Sequence, residues 1–166
     1  HWVYDTTDYG TIEGELGGVV QEKNTCTVLT AIRELLSLGY KITPQAVKTG
    51  FAQVTGLTGL MGRWQIIQRD PLIICDTGHN VGGWEYLSKQ LDQTPCHALH
   101  IVIGMVNDKD IHGVLKLLPK KAIYYFTNAS VERALPAEEF ALQASEHGLK
   151  GTIHSSVALA IEAAKN

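Results

Sequence analysis

Asp76-Thr77-Gly78-His79-Asn80 places a carboxylate, an imidazole and an amide within five positions, directly after the apolar run Pro71–Cys75. A carboxylate accepts hydrogen bonds from hydroxyls or backbone amides, and an imidazole changes charge near neutral pH. A second segment, Gly104-Met105-Val106-Asn107-Asp108-Lys109-Asp110, follows the apolar run ending at Ile103 and sets an ammonium between two carboxylates. A third, Thr127-Asn128-Ala129-Ser130-Val131-Glu132-Arg133, follows the run ending at Phe126. Each feature has a plainer use: an aspartate at a strand end also caps the next helix, which applies to Asp76, Asp108 and Asp110 alike. No GxGxxG follows a strand and no GxxxxGK[ST] occurs, so the sequence carries neither a dinucleotide fingerprint nor a P-loop. His97 and His100 read as structural, and the other histidines lack metal-ligand spacing. Three polar loops predict a ligand site; spacing alone leaves the ligand open.

The elements that must position these loops can be read from periodicity. From about residue 60 the chain alternates short apolar strands with amphipathic helices: Trp64–Arg69 and Pro71–Asp76, a helix with Val81, Trp84, Leu87 and Leu91, then Leu99–Gly104. A helix with Ile111, Val114, Leu115 and Leu118 follows, then Ala122–Thr127, a helix from Pro136 to Glu146, Gly151–His154, and a last helix capped by Ser155 or Ser156. This alternation predicts an α/β fold, a Rossmann-like, mostly parallel sheet flanked by helices, with Pro71–Asp76 a buried parallel strand. In such a sheet ligands sit at the carboxyl ends of the strands, where all three loops fall. Upstream, residues 1–23 read as one or two strands and a loop. Val28, Leu29, Ile32, Leu35 and Leu36 then mark a helix stopped by Gly39, and Thr43-Pro44 starts a second, with Val47, Phe51 and Val54 on its apolar face. These two helices need something larger to bury their faces. Thr55–Leu60, with two glycines and two threonines, reads as a linker.

The 166 residues suit one α/β domain, or a domain with a flanking piece. Fourteen Lys and Arg against 17 Asp and Glu, a net charge of −3, exclude a dominantly basic nucleic-acid surface or a polybasic membrane anchor. No apolar run approaches the ~18 residues needed to cross a bilayer. Three scattered cysteines, Cys26, Cys75 and Cys96, fit free thiols in a reducing compartment, so a soluble cytoplasmic protein is expected. The chain opens on His1-Trp2-Val3-Tyr4 and stops at Asn166 partway through an amphipathic helix, which reads as a piece of a longer enzyme.

Gly62-Arg63-Trp64-Gln65 followed by Asp76-Thr77-Gly78-His79-Asn80 resembles the folylpolyglutamate synthase/dihydrofolate synthase family of the Mur ligase superfamily, which carries a GRW-type turn ahead of a strand ending in D-x-x-H-N. Gly104 to Asp110 is similar to the family's next loop, ending in D-K-D, and Thr127-Asn128 with Arg133-Ala134-Leu135 to the one after, usually written with P-R-A. Leu16-Gly17-Gly18 through Gln21 and Asn24 resembles the L-x-G-x-x-Q-x-x-N stretch that ends the family's ATPase domain. Val131-Glu132 stands where the family has proline before the arginine.

The resemblance implies an ATP-dependent amide ligase, using Mg²⁺, that phosphorylates a folate or dihydropteroate carboxylate and lets glutamate attack the acyl phosphate. It implies residues 1–57 as the tail of the ATPase domain and 58–166 as the C-terminal domain that closes over ATP, the excised chain alone being inactive. Arg63 would reach the nucleotide phosphates, Asp76 and Asn80 would hold the nucleotide, and His79 and Lys109 would join Arg63 in catalysis. His79 with Ser155 or Ser156 would bind glutamate. No metal ligand is implied in this chain; the family's metal ligands and P-loop lie in the absent N-terminal domain. The implied partners are small molecules and that domain of the same chain, as a monomer, with no nucleic acid or membrane. A stand-alone module binding a nucleotide or amino acid, and a Mur ligase acting on cell-wall precursors, are the alternative readings.

Overall fold

The computed structural model of the chain describes residues 1–128 and 131–166; Ala129 and Ser130, in the third polar loop, lie outside the described residues. The described residues form two units, His1–Thr77 and Gly78–Asn166.

The first unit begins with β1 (Trp2–Thr6) and β2 (Gly10–Gly14), an antiparallel hairpin in register from Trp2 opposite Gly14 to Thr6 opposite Gly10. Ile12 is fully buried beneath it. Helix α1 (Gln21–Ser37) ends in a Schellman motif: the Gly39 N–H donates to Leu36 O at 3.0 Å and the Tyr40 N–H to Leu35 O at 3.1 Å. Gly39 takes φ +90°, a conformation open to glycine without steric penalty. Helix α2 (Pro44–Ala52) starts as the sequence expects, with Thr43 Oγ1 accepting the Ala46 N–H at 3.1 Å and proline in the first position. The expected linker is instead a helical turn, α3 (Val54–Thr58). The Glu15 carboxylate accepts its Thr55 N–H at 2.7 Å, and Gly59 closes it in the left-handed region. These local bonds satisfy the backbone that a glycine- and threonine-rich composition suggested would be irregular.

Strands β3 (Gln65–Arg69) and β4 (Leu72–Cys75) complete the unit, and they differ from expectation. They pair antiparallel, with a register shift between Ile66 and Gln68, and Leu72 is half exposed, so β4 is not a buried parallel strand of the main sheet. Only Asp70 and Pro71 separate the two strands, and a two-residue connection can join antiparallel neighbours only.

The second unit is the expected α/β arrangement. Helix α4 (Val81–Gln93) leads to β5 (His100–Ile103), α5 (Ile111–Leu117), β6 (Ile123–Phe126), α6 (Ala137–Glu146), β7 (Gly151–Ile153) and α7 (Val157–Lys165). The strands form one parallel sheet in the order β5-β6-β7, with Ile101 opposite Tyr124 and Phe126 opposite Ile153. Period-two alternation sends Tyr124 and Phe126 to one face, where they meet Val114, Leu115, Phe140 and Ala144 in the core. Phe126 and Phe140 meet edge to face at 5.6 Å between ring centres, the arrangement the aromatic quadrupole favours. Helix α7 lies against β5 and β6 with Ala160 fully buried. No helix among the described residues is long and apolar enough to cross a membrane.

Candidate functional site

In the first unit the turn Gly62-Arg63-Trp64 is tied to the exit of β4. The Trp64 N–H donates to Asp76 Oδ2 at 2.7 Å, and the Thr77 N–H donates to Gly62 O at 2.9 Å. The Thr77 hydroxyl donates to the same carbonyl at 3.1 Å and accepts from Arg63 Nη1. Gln65 Oε1 closes the other side by accepting the Gly62 N–H at 3.0 Å. Trp64 takes φ +49°, which a non-glycine residue adopts at a cost of roughly 1–2 kcal/mol, so the bond to a charged acceptor is placed where the backbone needs it. Gly62 takes φ +70° and is buried; a Cβ there would lie 2.5 Å from Thr77 Cγ2. Arg63 and Asp76, expected to serve one ligand, therefore belong to one hydrogen-bonded turn.

The second unit gathers polar loops on its own sheet edge. Residues 104–110, 127–128, 131–136 and 154–156 all follow the carboxyl ends of parallel strands, which puts Lys109, Ser155 and Ser156 on that edge. Helix α4 brings His79 and Asn80 towards the loop after β5: a Cβ on Gly113, in the first turn of α5, would lie 2.6 Å from Val81 Cγ2. Several candidates also carry the structural duty that residue type alone suggested. Asn80 Oδ1 caps α4 by accepting the Gly83 N–H at 2.8 Å, and Asp110 caps α5 through the Gly113 N–H at 2.8 Å. Ser156, not Ser155, caps α7, its Oγ accepting the Leu159 N–H at 3.3 Å. A capping serine keeps its own O–H to donate, beside a helix N-terminus whose dipole favours anions. Ser155 and His79 are exposed. Among the described residues, the Asn80, Lys109 and Ser156 side chains do not bond one another.

Two parts of this arrangement were not singled out from sequence. The loops after β5 and β6 are zipped together: the Asn107 N–H donates to Arg133 O at 3.0 Å and the Leu135 N–H to Met105 O at 2.9 Å. Above that bridge, Asp108 Oδ2 meets Arg133 Nη1 at 2.9 Å and Lys109 Nζ at 3.9 Å. Two cations share one exposed carboxylate, and the pairs contribute ~0–1 kcal/mol each. Opposite charges 25 positions apart, on loops the sheet brings together, were the available signal. The role of Thr77 had a weaker one, a hydroxyl next to the strand-end aspartate.

Comparison with known proteins follows the same residues. Residues 62–166 match the profile of the Mur ligase, glutamate ligase domain. A dihydrofolate synthase/folylpolyglutamate synthase of Escherichia coli (strain K12) is 33% identical over 172 residues, covering 98% of this chain and 38% of the relative. The structure of E. coli FolC in complex with DHPP and ADP superposes with a TM-score of 0.69 at 30% identity, over 96% of this chain and 36% of that one. Mycobacterium tuberculosis folylpolyglutamate synthase complexed with ADP and AMPPCP gives 0.77 at 26% identity, over 93% and 35%. The chain thus spans about two fifths of the length of the curated relative it matches along nearly its whole extent. With the profile covering the GRW turn, all three polar loops and the parallel sheet, this chain belongs to the Mur ligase family through its glutamate ligase domain.

Proposed function

We propose that the chain is part of an ATP-dependent ligase that joins L-glutamate to a folate, or to dihydropteroate, through an acyl phosphate. The observation that carries this reading is the match along 98% of the chain to a dihydrofolate synthase/folylpolyglutamate synthase. A similar bifunctional synthase, 29% identical over 81% of this chain, has been solved with Mn, AMPPNP and L-glutamate bound. In this reading residues 1–57 are the tail of an ATPase domain and 58–166 the domain that closes over ATP. The exposed apolar side chains Val28, Leu36 and Leu38 support it, as does an apolar cavity of about 500 Å³ lined by Tyr4, Leu16, Val28, Ile32, Val47 and Phe51.

The reaction needs phosphate charge neutralised, the acceptor carboxylate turned into a leaving-group ester, and glutamate delivered as a free amine. An acceptor carboxylate oxygen attacks the γ-phosphorus and ADP leaves; the glutamate nitrogen then attacks the acyl carbon, and inorganic phosphate leaves. Arg63 is assigned to the nucleotide phosphates, where a planar guanidinium matches paired oxygens. Asp76 is assigned to the nucleotide with Asn80, since a carboxylate suits ribose hydroxyls. His79 is assigned to the incoming glutamate, whose ammonium must lose a proton before attack, and Lys109 to charge that develops on the transferring phosphoryl group. Ser155 and Ser156 are assigned to a glutamate carboxylate at the α7 N-terminus. The chain spans 38% of the length of its E. coli relative, and the divalent ion is assigned to ligands in the remainder.

In the complete enzyme, Arg63→Ala and Asp76→Ala are each expected to lower kcat/KM for MgATP in the glutamate-dependent reaction by about 10²-fold, as loss of nucleotide binding does. Steady-state kinetics within about twofold of the parent for both variants would remove these assignments.

A further inference from the structure

We propose that Thr77 is a positioning residue that aims the Arg63 guanidinium, and that its hydroxyl rather than its bulk does so. The inference rests on the reading above that Arg63 contacts the nucleotide phosphates. Its basis is the hydrogen-bond geometry of the turn. The Thr77 hydroxyl donates to Gly62 O and accepts from Arg63 Nη1, so one oxygen links the backbone of the turn to the end of its longest side chain. Arg63 Nη1 also donates to Gly62 O, at 3.4 Å, and the Thr77 N–H reaches that same carbonyl at 2.9 Å. The guanidinium is thereby folded back onto its own turn. The methyl of Thr77 fills the space that a side chain at Gly62 would need, which separates its two functions: Cγ2 packs on Gly62, and Oγ1 holds Arg63. A long cationic side chain that binds a phosphate from a restricted set of rotamers loses less freedom on binding than one that must be ordered at that moment.

Substitution can split these functions, because valine keeps the shape and loses the hydroxyl whereas serine keeps the hydroxyl and loses the methyl. In the complete ligase, Thr77→Val is expected to raise KM for MgATP about tenfold, with kcat changed by less than about threefold and KM for glutamate unmoved, the pattern of lost ground-state binding. Thr77→Ser is expected to recover most of that loss. Thermal midpoints recorded alongside report any effect on folding, which by itself leaves the KM for MgATP of the folded enzyme in place. The Arg63→Ala background completes a double-mutant cycle: adding Thr77→Val there is expected to leave KM for MgATP unchanged, because the group being aimed is gone. If Arg63→Ala weakens MgATP binding and Thr77→Val acts equally in both backgrounds, or not at all, the positioning role is overturned. If Arg63→Ala itself leaves the MgATP kinetics intact, the assignment of Arg63 to the phosphates fails, and this inference falls with it.

Discussion

Tyr124 lies fully buried on β6, and its phenol donates to Pro119 O at 2.7 Å. Burial pushes its ionisation above the ordinary value of 10.0. Below pH 10 the folded and unfolded chains both hold the proton, and the contribution to stability is intact. As pH rises further the unfolded state releases its proton first, so folding loses ground with each increment. Tyr124→Phe should therefore flatten the alkaline limb of the stability curve above about pH 10, measured by denaturant titration. It should also lower stability near neutrality by about 1 kcal/mol, the net value of one hydrogen bond. An alkaline limb identical to that of the parent would mean the phenol ionises freely in the folded state. The same scale explains Gly104: a Cβ there would run into the Thr127 carbonyl, so the chain passes from β5 into its polar loop only where no side chain stands.

At the scale of elements, helix ends join stability to binding. Ser156 caps α7 and also stands where a glutamate carboxylate is assigned. Aspartate caps a helix about as well as serine, yet it repels an incoming carboxylate. Ser156→Asp is thus expected to hold stability within about 0.5 kcal/mol of the parent, where Ser156→Ala loses about 1 kcal/mol. Ser156→Asp should at the same time raise KM for glutamate in the complete enzyme more than tenfold. Unchanged glutamate kinetics would leave Ser156 a cap and nothing more. Element ends were also the most legible part of the fold: Thr43-Pro44 and Ser156 lie where capping chemistry places them, and Gly39 ends α1 as the loss of periodicity implied. The pairing of β3 with β4 was less legible, because a four-residue apolar run such as Leu72–Cys75 looks the same in a parallel and an antiparallel neighbourhood. The Asp70-Pro71 connection held the missing information. Within the candidate site, residue types and order could be read, whereas bonds that join distant positions could not. The Asp108 pair with Arg133 and the bond from Trp64 N–H to Asp76 depend on register and loop closure, which one-dimensional spacing does not contain.

For the whole molecule, a net charge of −3 and the parallel sheet with its polar edge loops fit many ligands, and it is the match to folate ligases that narrows the chemistry. We propose that the complete protein couples ATP cleavage to amide formation between glutamate and a pteroyl acceptor. The most direct measurement is ADP release by the complete enzyme with MgATP, comparing dihydropteroate with a reduced folate, each with and without L-glutamate. Release is expected to require glutamate together with at least one of the two acceptors, and the acceptor that works identifies the folate step. Release that proceeds equally without glutamate, or with neither acceptor, would contradict it.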